Sequence, residues 1–387
     1  MLDRRRGFPS FAPVLLTLGL TLGAAGCGSV PPRLVTSSEM AKAIQDRGLP
    51  PDEVIVPYLI TDEMRAWVRQ HVPEDEPMDR KLELLLEKLV GAGGLKMEYA
   101  AGYTGTAQEV FESRRANCLA FTSLFVGLAR EVGVPVYYLD VEDVERFEKE
   151  GDLVVVSGHV SAGYGLAREL RVLDFSADAA DRGTTRKVER ISDMRAIALF
   201  HSNRGAELLR VNQDQEALSW LRKAVALDPE FVRPWINYGV ALRRTGDLEG
   251  AEEAYRKALE LDPDAGSAYQ NLASLLRQMK RDQEAEQLLT LTAEIGTRNP
   301  YSYLALGDLS FSHGRYEEAR RFYRRALRLQ RDSPEPYAAM GLLSLAVGDS
   351  GDAERWLRKA VAIDQENGRV KRLSARMQGS GANAGNA

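Results

Sequence analysis

Apolar residues recur along the chain with two kinds of spacing, and the spacing divides it into two parts. In 62–72 and 79–90 they return every three or four positions; Leu82, Leu85, Leu86 and Leu89 form one stripe. Two amphipathic helices are predicted there, the first opened by acidic residues after Thr61. Such a stripe is core and carries no chemistry. A third, more apolar helix is predicted over 116–132, stopped by Gly133 and Pro135 because proline cannot continue a helix. Residues 134–141 are β-branched and aromatic and read as a strand; 142–152, dense in charge, reads as a solvated loop; 153–164 and 169–175 read as two more strands. A helix followed by antiparallel strands predicts an α+β domain over 39–190, with 177–187 as a polar boundary.

Beyond Ile191 the pattern repeats. Gly205, Gly239, Ala273, Gly307 and Gly341 fall into one column with a period of 34 residues. Ala217, Ala251, Ala285, Ala319 and Ala353 make a second column. Leu221, Tyr255, Leu289, Tyr323 and Leu357 make a third, and Ala224, Ala258, Thr292, Ala326 and Ala360 a fourth. Small residues let paired helices approach, and large ones fill the gap between successive pairs. This resembles five tetratricopeptide repeats over 198–367, an all-α solenoid. The resemblance implies a protein or peptide partner in the groove lined by the first helix of each unit. Residues 368–387, rich in Gly, Ala and Asn at the end, predict a partly disordered tail.

The first residues read as targeting. Arg4, Arg5 and Arg6 precede an apolar stretch too short to span about 30 Å of hydrocarbon. Small residues then lead to Cys27. Residues 22–27 resemble a bacterial lipoprotein signal, which implies cleavage and lipidation at Cys27, a tether over 27–38 and attachment to the envelope. Gly28 after the cysteine favours the periplasmic face of the outer membrane. Cleavage after Ala25 and a short uncleaved anchor are the alternatives, and each exports the rest.

A formal net charge of −5, with both signs interspersed, gives no field for phosphate backbones, so nucleic acid is not an expected partner. Metal-ligand and phosphate-cradling motifs are missing from the sequence, so no metal or cofactor is implied.

One constellation bears on catalysis. With Cys27 lipidated, Cys118 has no disulfide partner; its other readings are a buried small hydrophobe or a bond to Cys27. Cys118 opens the apolar helix, whose positive end favours a thiolate. Of four histidines, His201 and His313 lie in the repeats and His71 ends an amphipathic helix, which leaves His159 on a strand as candidate base. Asp174, at the end of the next strand, is the candidate orienting carboxylate.

The stretch from Thr106 through Cys118 to Pro135 resembles the core of the transglutaminase-like superfamily, relatives of the papain fold, over about 95–176. The resemblance implies Cys118 as nucleophile, His159 as base and acid, and Asp174 as the residue that orients the imidazole. The chemistry implied is an acyl-thioenzyme that cleaves or transfers an amide, with the repeats delivering the substrate. A non-catalytic envelope scaffold, in which this domain is a second binding module, is the alternative.

In the groove, Asn203, Asn237 and Asn271 stand two positions before the small-residue column, replaced by Ala305 and Ala339 in the last units. A carboxamide donates and accepts, so a ladder of them suits the backbone of an extended peptide. Arg243 and Arg277, also a period apart, are expected to attract acidic segments. Leu304, Phe311, Leu342 and Leu345 are expected to form an apolar pocket or contact another chain.

Overall fold

The computed structural model describes residues 14–16, 36–91, 93–150, 153–165, 170–174, 188–294 and 299–384. Cys27, the tether before Thr36 and the boundary at 177–187 lie outside them. The chain divides into two compact units: 1–146 with 157–241, and 147–156 with 242–387.

The first unit holds helices α1 (Ser37–Gln45), α2 (Asp62–His71), α3 (Met78–Val90), α4 (Ala107–Ser113) and α5 (Cys118–Glu131). Thr36 and Thr106 each close a capping box, accepting from the third backbone N–H while a glutamate bonds back. The predicted leucine stripe of α3 is buried, and so is nearly all of α5 between Leu119 and Ala129. Gly127 lets α5 press on the preceding loop, since a Cβ there would stand 2.4 Å from the Tyr58 carbonyl oxygen. Gly133 takes φ +80° just past the helix end, the left-handed turn that glycine adopts without strain.

The strands are β1 (Val14–Leu16), β2 (Glu98–Tyr99), β3 (Arg115–Ala116), β4 (Tyr137–Glu150), β5 (Leu153–Tyr164), β6 (Arg171–Asp174) and β7 (Val188–Ile191). Five of them form one sheet in the order β1-β6-β5-β4-β7, with β6 antiparallel to β5 and β7 antiparallel to β4. Val14–Leu16, inside the apolar stretch read as a signal, lies against β6. Two small parallel strands, β2 and β3, lead into the start of α5. The α+β order of the sequence therefore stands, with one correction: 142–150 is strand, not loop. Charge does not prevent extended structure when the neighbouring strand, here the apolar β5, completes the backbone ladder.

The helical region has five pairs, α6 (Asp193–Arg210) with α7 (Asp214–Leu227), α8 (Val232–Thr245) with α9 (Leu248–Leu261), α10 (Gly266–Gln278) with α11 (Asp282–Glu294), α12 (Pro300–Ser312) with α13 (Tyr316–Leu329), and α14 (Pro334–Ala346) with α15 (Ser350–Ile363). The columns make the expected contacts. A Cβ on Gly205 would meet Leu221 at 2.5 Å, and one on Gly307 would meet Tyr323 at 2.3 Å. The compact units do not follow the change from sheet to helix, because the first pair and part of α8 group with the sheet.

The tail, expected to be partly disordered, is described as far as Ala384. Gly368–Ala384 is a helix, α16, whose Val370 and Leu373 pack on Ala338 and Ala360. A terminal helix is what a repeat array needs to cover its last apolar face. Leu342 and Leu345, expected to form a pocket, pack against that cluster instead. Arg369, 8% exposed, locks the same end with hydrogen bonds of 2.9 and 2.6 Å to the two Asp308 oxygens.

Candidate peptide-binding and thiol sites

The three asparagines share a position in their helices but not a job. Asn271, on α10, is fully buried. Its Oδ1 accepts from the Val154 backbone N–H at 2.8 Å, and its Nδ2 donates to the Val154 carbonyl oxygen at 2.8 Å. One carboxamide thus pairs with one residue of β5 as a neighbouring strand would, and both partners belong to the second unit. Val154, Val155 and Val156 are all buried. Asn237, on α8, is also fully buried and donates to the Ser202 hydroxyl at 3.4 Å. Asn203, on α6, is half-buried, and its Oδ1 is out of contact with water and has no hydrogen-bond donor.

The arginines differ as well. Arg243 donates to Gln278 Oε1 at 2.7 Å and to the Ser274 hydroxyl at 3.0 Å, both on α10. Those bonds tie it into the next repeat. Arg277 is exposed.

Around the thiol, Cys118 is the first residue of α5, half-buried and in no disulfide. Asn117 caps this helix by accepting from the Ala120 N–H at 2.9 Å, and donates to the Thr104 hydroxyl at 2.7 Å. Thr104 in turn gives its hydroxyl and its backbone N–H to one Glu207 oxygen, at 2.6 and 2.9 Å. Burial pushes the Glu207 carboxyl above its ordinary range, against the pull of those bonds and of the Arg204 charge. Glu207 sits on α6, so a first-repeat helix steadies the cap of the cysteine helix. Sequence reasoning missed this link, because a single acidic residue within a repeat has no distinguishing pattern.

His159 lies on β5 and is 5% exposed. Val160, Ala162 and Tyr138 share one core with α5, and Tyr138 donates to Ser123 of that helix at 3.2 Å. Side chains alternate along a strand, so His159 and Ser161 fall on the other face, 3.4 Å apart. That face carries Tyr137 and Leu139, which a Cβ on Gly163 would strike. Asp174 is the last residue of β6, beside the pair Ala162–Leu173. The fold therefore brings the strands of His159 and Asp174 together in one sheet.

Tetratricopeptide-repeat profiles match residues 232–265, 254–287 and 310–377. The helix pairs in those spans are tetratricopeptide repeats. Solved structures similar to the array include MamA from Desulfovibrio magneticus RS-1, 20% identical over 44% of this chain and 97% of that one, with a TM-score of 0.34. PilF of Pseudomonas aeruginosa is 24% identical over 48% of this chain and 83% of that one, with a TM-score of 0.39. YrrB, titled a TPR protein with an unusual peptide-binding site, is 18% identical over 46% of this chain and 92% of that one, at 0.33. No curated protein sequence matches the chain significantly. Among the described residues, no tetratricopeptide or other helix is long and apolar enough to cross a membrane.

Proposed function

We propose that this protein is a non-catalytic adaptor that holds an extended polypeptide on the first helices of its tetratricopeptide repeats. The observation that carries the reading is the two-bond grip of Asn271 on the backbone of an extended strand. Main-chain hydrogen bonds of this kind give affinity that is tolerant of sequence. The basic, apolar and small-residue segments that lead into Cys27 support display of the array outside the cytoplasm on a lipid anchor. Mass spectrometry of the mature amino terminus tests the anchor, and a chain that begins at Gly26 or Met1 rejects it. The test of the adaptor is capture of reduced, carboxymethylated α-lactalbumin, a permanently unfolded polypeptide. Capture is expected for the intact chain and is expected to fall with Asn271→Ala; equal capture by the two rejects the reading.

A cysteine-enzyme reading draws on one observation, the place of Cys118 at the capped start of α5. Iodoacetamide labelling at mildly acidic pH separates the two: an ordinary thiol rate favours the adaptor, and an accelerated rate favours an activated nucleophile.

A further inference from the structure

We propose that the β4–β5 hairpin is the resident occupant of the strand-binding site at Asn271, and that an outside polypeptide is captured by exchanging its own extended strand for Val154. The proposal rests on the reading of the array as a binder of extended backbone and adds what fills the site beforehand.

Two observations carry it. First, the site is already engaged: the carboxamide of Asn271 meets both backbone groups of Val154, and neither residue is exposed to solvent. An incoming chain cannot reach Asn271 while β5 is seated. Second, this stretch of β5 lies beyond its pairing with β6. β6 runs beside Ala162, Gly163 and Tyr164 and ends at Asp174, so at Val154 Asn271 stands where a further strand would pair. An uncovered strand edge pairs with whatever extended backbone is offered, and here a repeat helix covers it.

The resident strand describes its competitor. Val154, Val155 and Val156 are each no more than 2% exposed, so the occupant buries consecutive β-branched apolar side chains and supplies one N–H and one C=O on the same edge. The fitting partner is an extended, β-branched apolar segment of an unfolded or strand-donating polypeptide. Proline at the paired position is excluded, because it lacks the N–H that Asn271 accepts. A tethered strand competes at an effective concentration on the order of millimolar. Capture is therefore weak when the hairpin is seated and strong when it is withdrawn.

The test uses the full chain and a fluorescein-labelled peptide with the sequence of residues 153–164. Val154→Pro, which removes the resident donor, is expected to tighten peptide binding about tenfold or more, and Asn271→Ala in the same background is expected to abolish the gain. On the unaltered chain, the Val154 amide is expected to be protected from hydrogen exchange and to lose protection when the peptide saturates the site; this arm decides if Val154→Pro does not fold. Peptide binding with Val154 still protected overturns the exchange. So does a Val154→Pro chain that binds no tighter than the unaltered one while Asn271→Ala weakens both, an outcome that leaves the array as a strand binder. Binding indifferent to Asn271→Ala in both backgrounds overturns the strand-binding reading itself.

Discussion

The first two repeats and the third put asparagine at the same place and use it differently. In the second, Asn237 donates to the Ser202 hydroxyl of the preceding repeat, and in the first the buried carbonyl oxygen of Asn203 receives no hydrogen bond among the described residues. In the third, Asn271 grips a strand that lies outside the repeats in sequence, 117 residues away. The repeat period delivers the carboxamide to one helix face; what it meets there depends on which segment is folded against that face. A periodic ladder in a sequence is thus a row of opportunities, and at Asn271 this chain uses it for backbone recognition.

The comparison can be broken most severely at the third repeat. Asn271→Ala leaves the N–H and C=O of Val154 buried without their partner, which is expected to cost roughly 2–5 kcal/mol for two such groups. Urea unfolding followed by circular dichroism measures it, and a loss under about 1 kcal/mol would place the hairpin's hold elsewhere.

The next largest effect belongs to the first repeat and depends on pH. His201 is 1% exposed and donates from Nε2 to the Ile55 carbonyl oxygen, 3.1 Å away. Desolvation holds it down to about 4, against a contribution from the Ile55 bond. The unfolded chain takes up the proton at the ordinary value near 6.5, before the folded one does, so stability falls as pH drops through the window from about 6.5 to about 4. The full loss is about 3 kcal/mol, since each tenfold difference in proton affinity between the two states is worth about 1.4 kcal/mol. Unfolding curves at pH 7 and pH 4.5 check the sign, and His201→Leu is expected to flatten the difference.

Smaller effects sharpen the contrast within the ladder. Asn237→Ala is expected to cost about 1 kcal/mol, since it strands the Ser202 hydroxyl and leaves a modest void. Asn203→Ala is expected to change stability by less than about 0.5 kcal/mol in either direction, because its buried carbonyl gains nothing at present. A series in which all three substitutions cost the same would erase the distinction between the repeats.

The helical region was open to reading in advance because its rules are local. Gly205 meets Leu221 and Gly307 meets Tyr323 as their columns require, and both contacts close over a helix and a short turn. The same locality explains why α2 and α5 were recognised, since Thr61 caps α2 within three residues and Gly133 ends α5 where a left-handed turn is needed. By contrast α1 and α4, capped by Thr36 and Thr106, are too short to show a repeated apolar period and were not predicted. At the thiol, the sequence placed Cys118 at the head of a helix and His159 on a strand, both of which hold. It did not reveal the link from Asn117 through Thr104 to Glu207, whose members are 103 residues apart at the last step.

What the sequence determined by itself, then, is the repeat period, the small and large columns that close it, the helix caps, and the asparagines on one helix face. Only the tertiary structure decided that 142–150 is a strand, that 368–384 is a capping helix, that Glu207 holds Thr104 beside the start of α5, and that Asn271 holds Val154. The reason is physical. Backbone sterics, capping and helix crossing act over a few residues and leave a period or a punctuation mark in the text. A strand edge, an exposed apolar helix face or a buried carboxamide accepts any chemically matched neighbour, and which neighbour arrives is settled by packing between segments far apart in the chain.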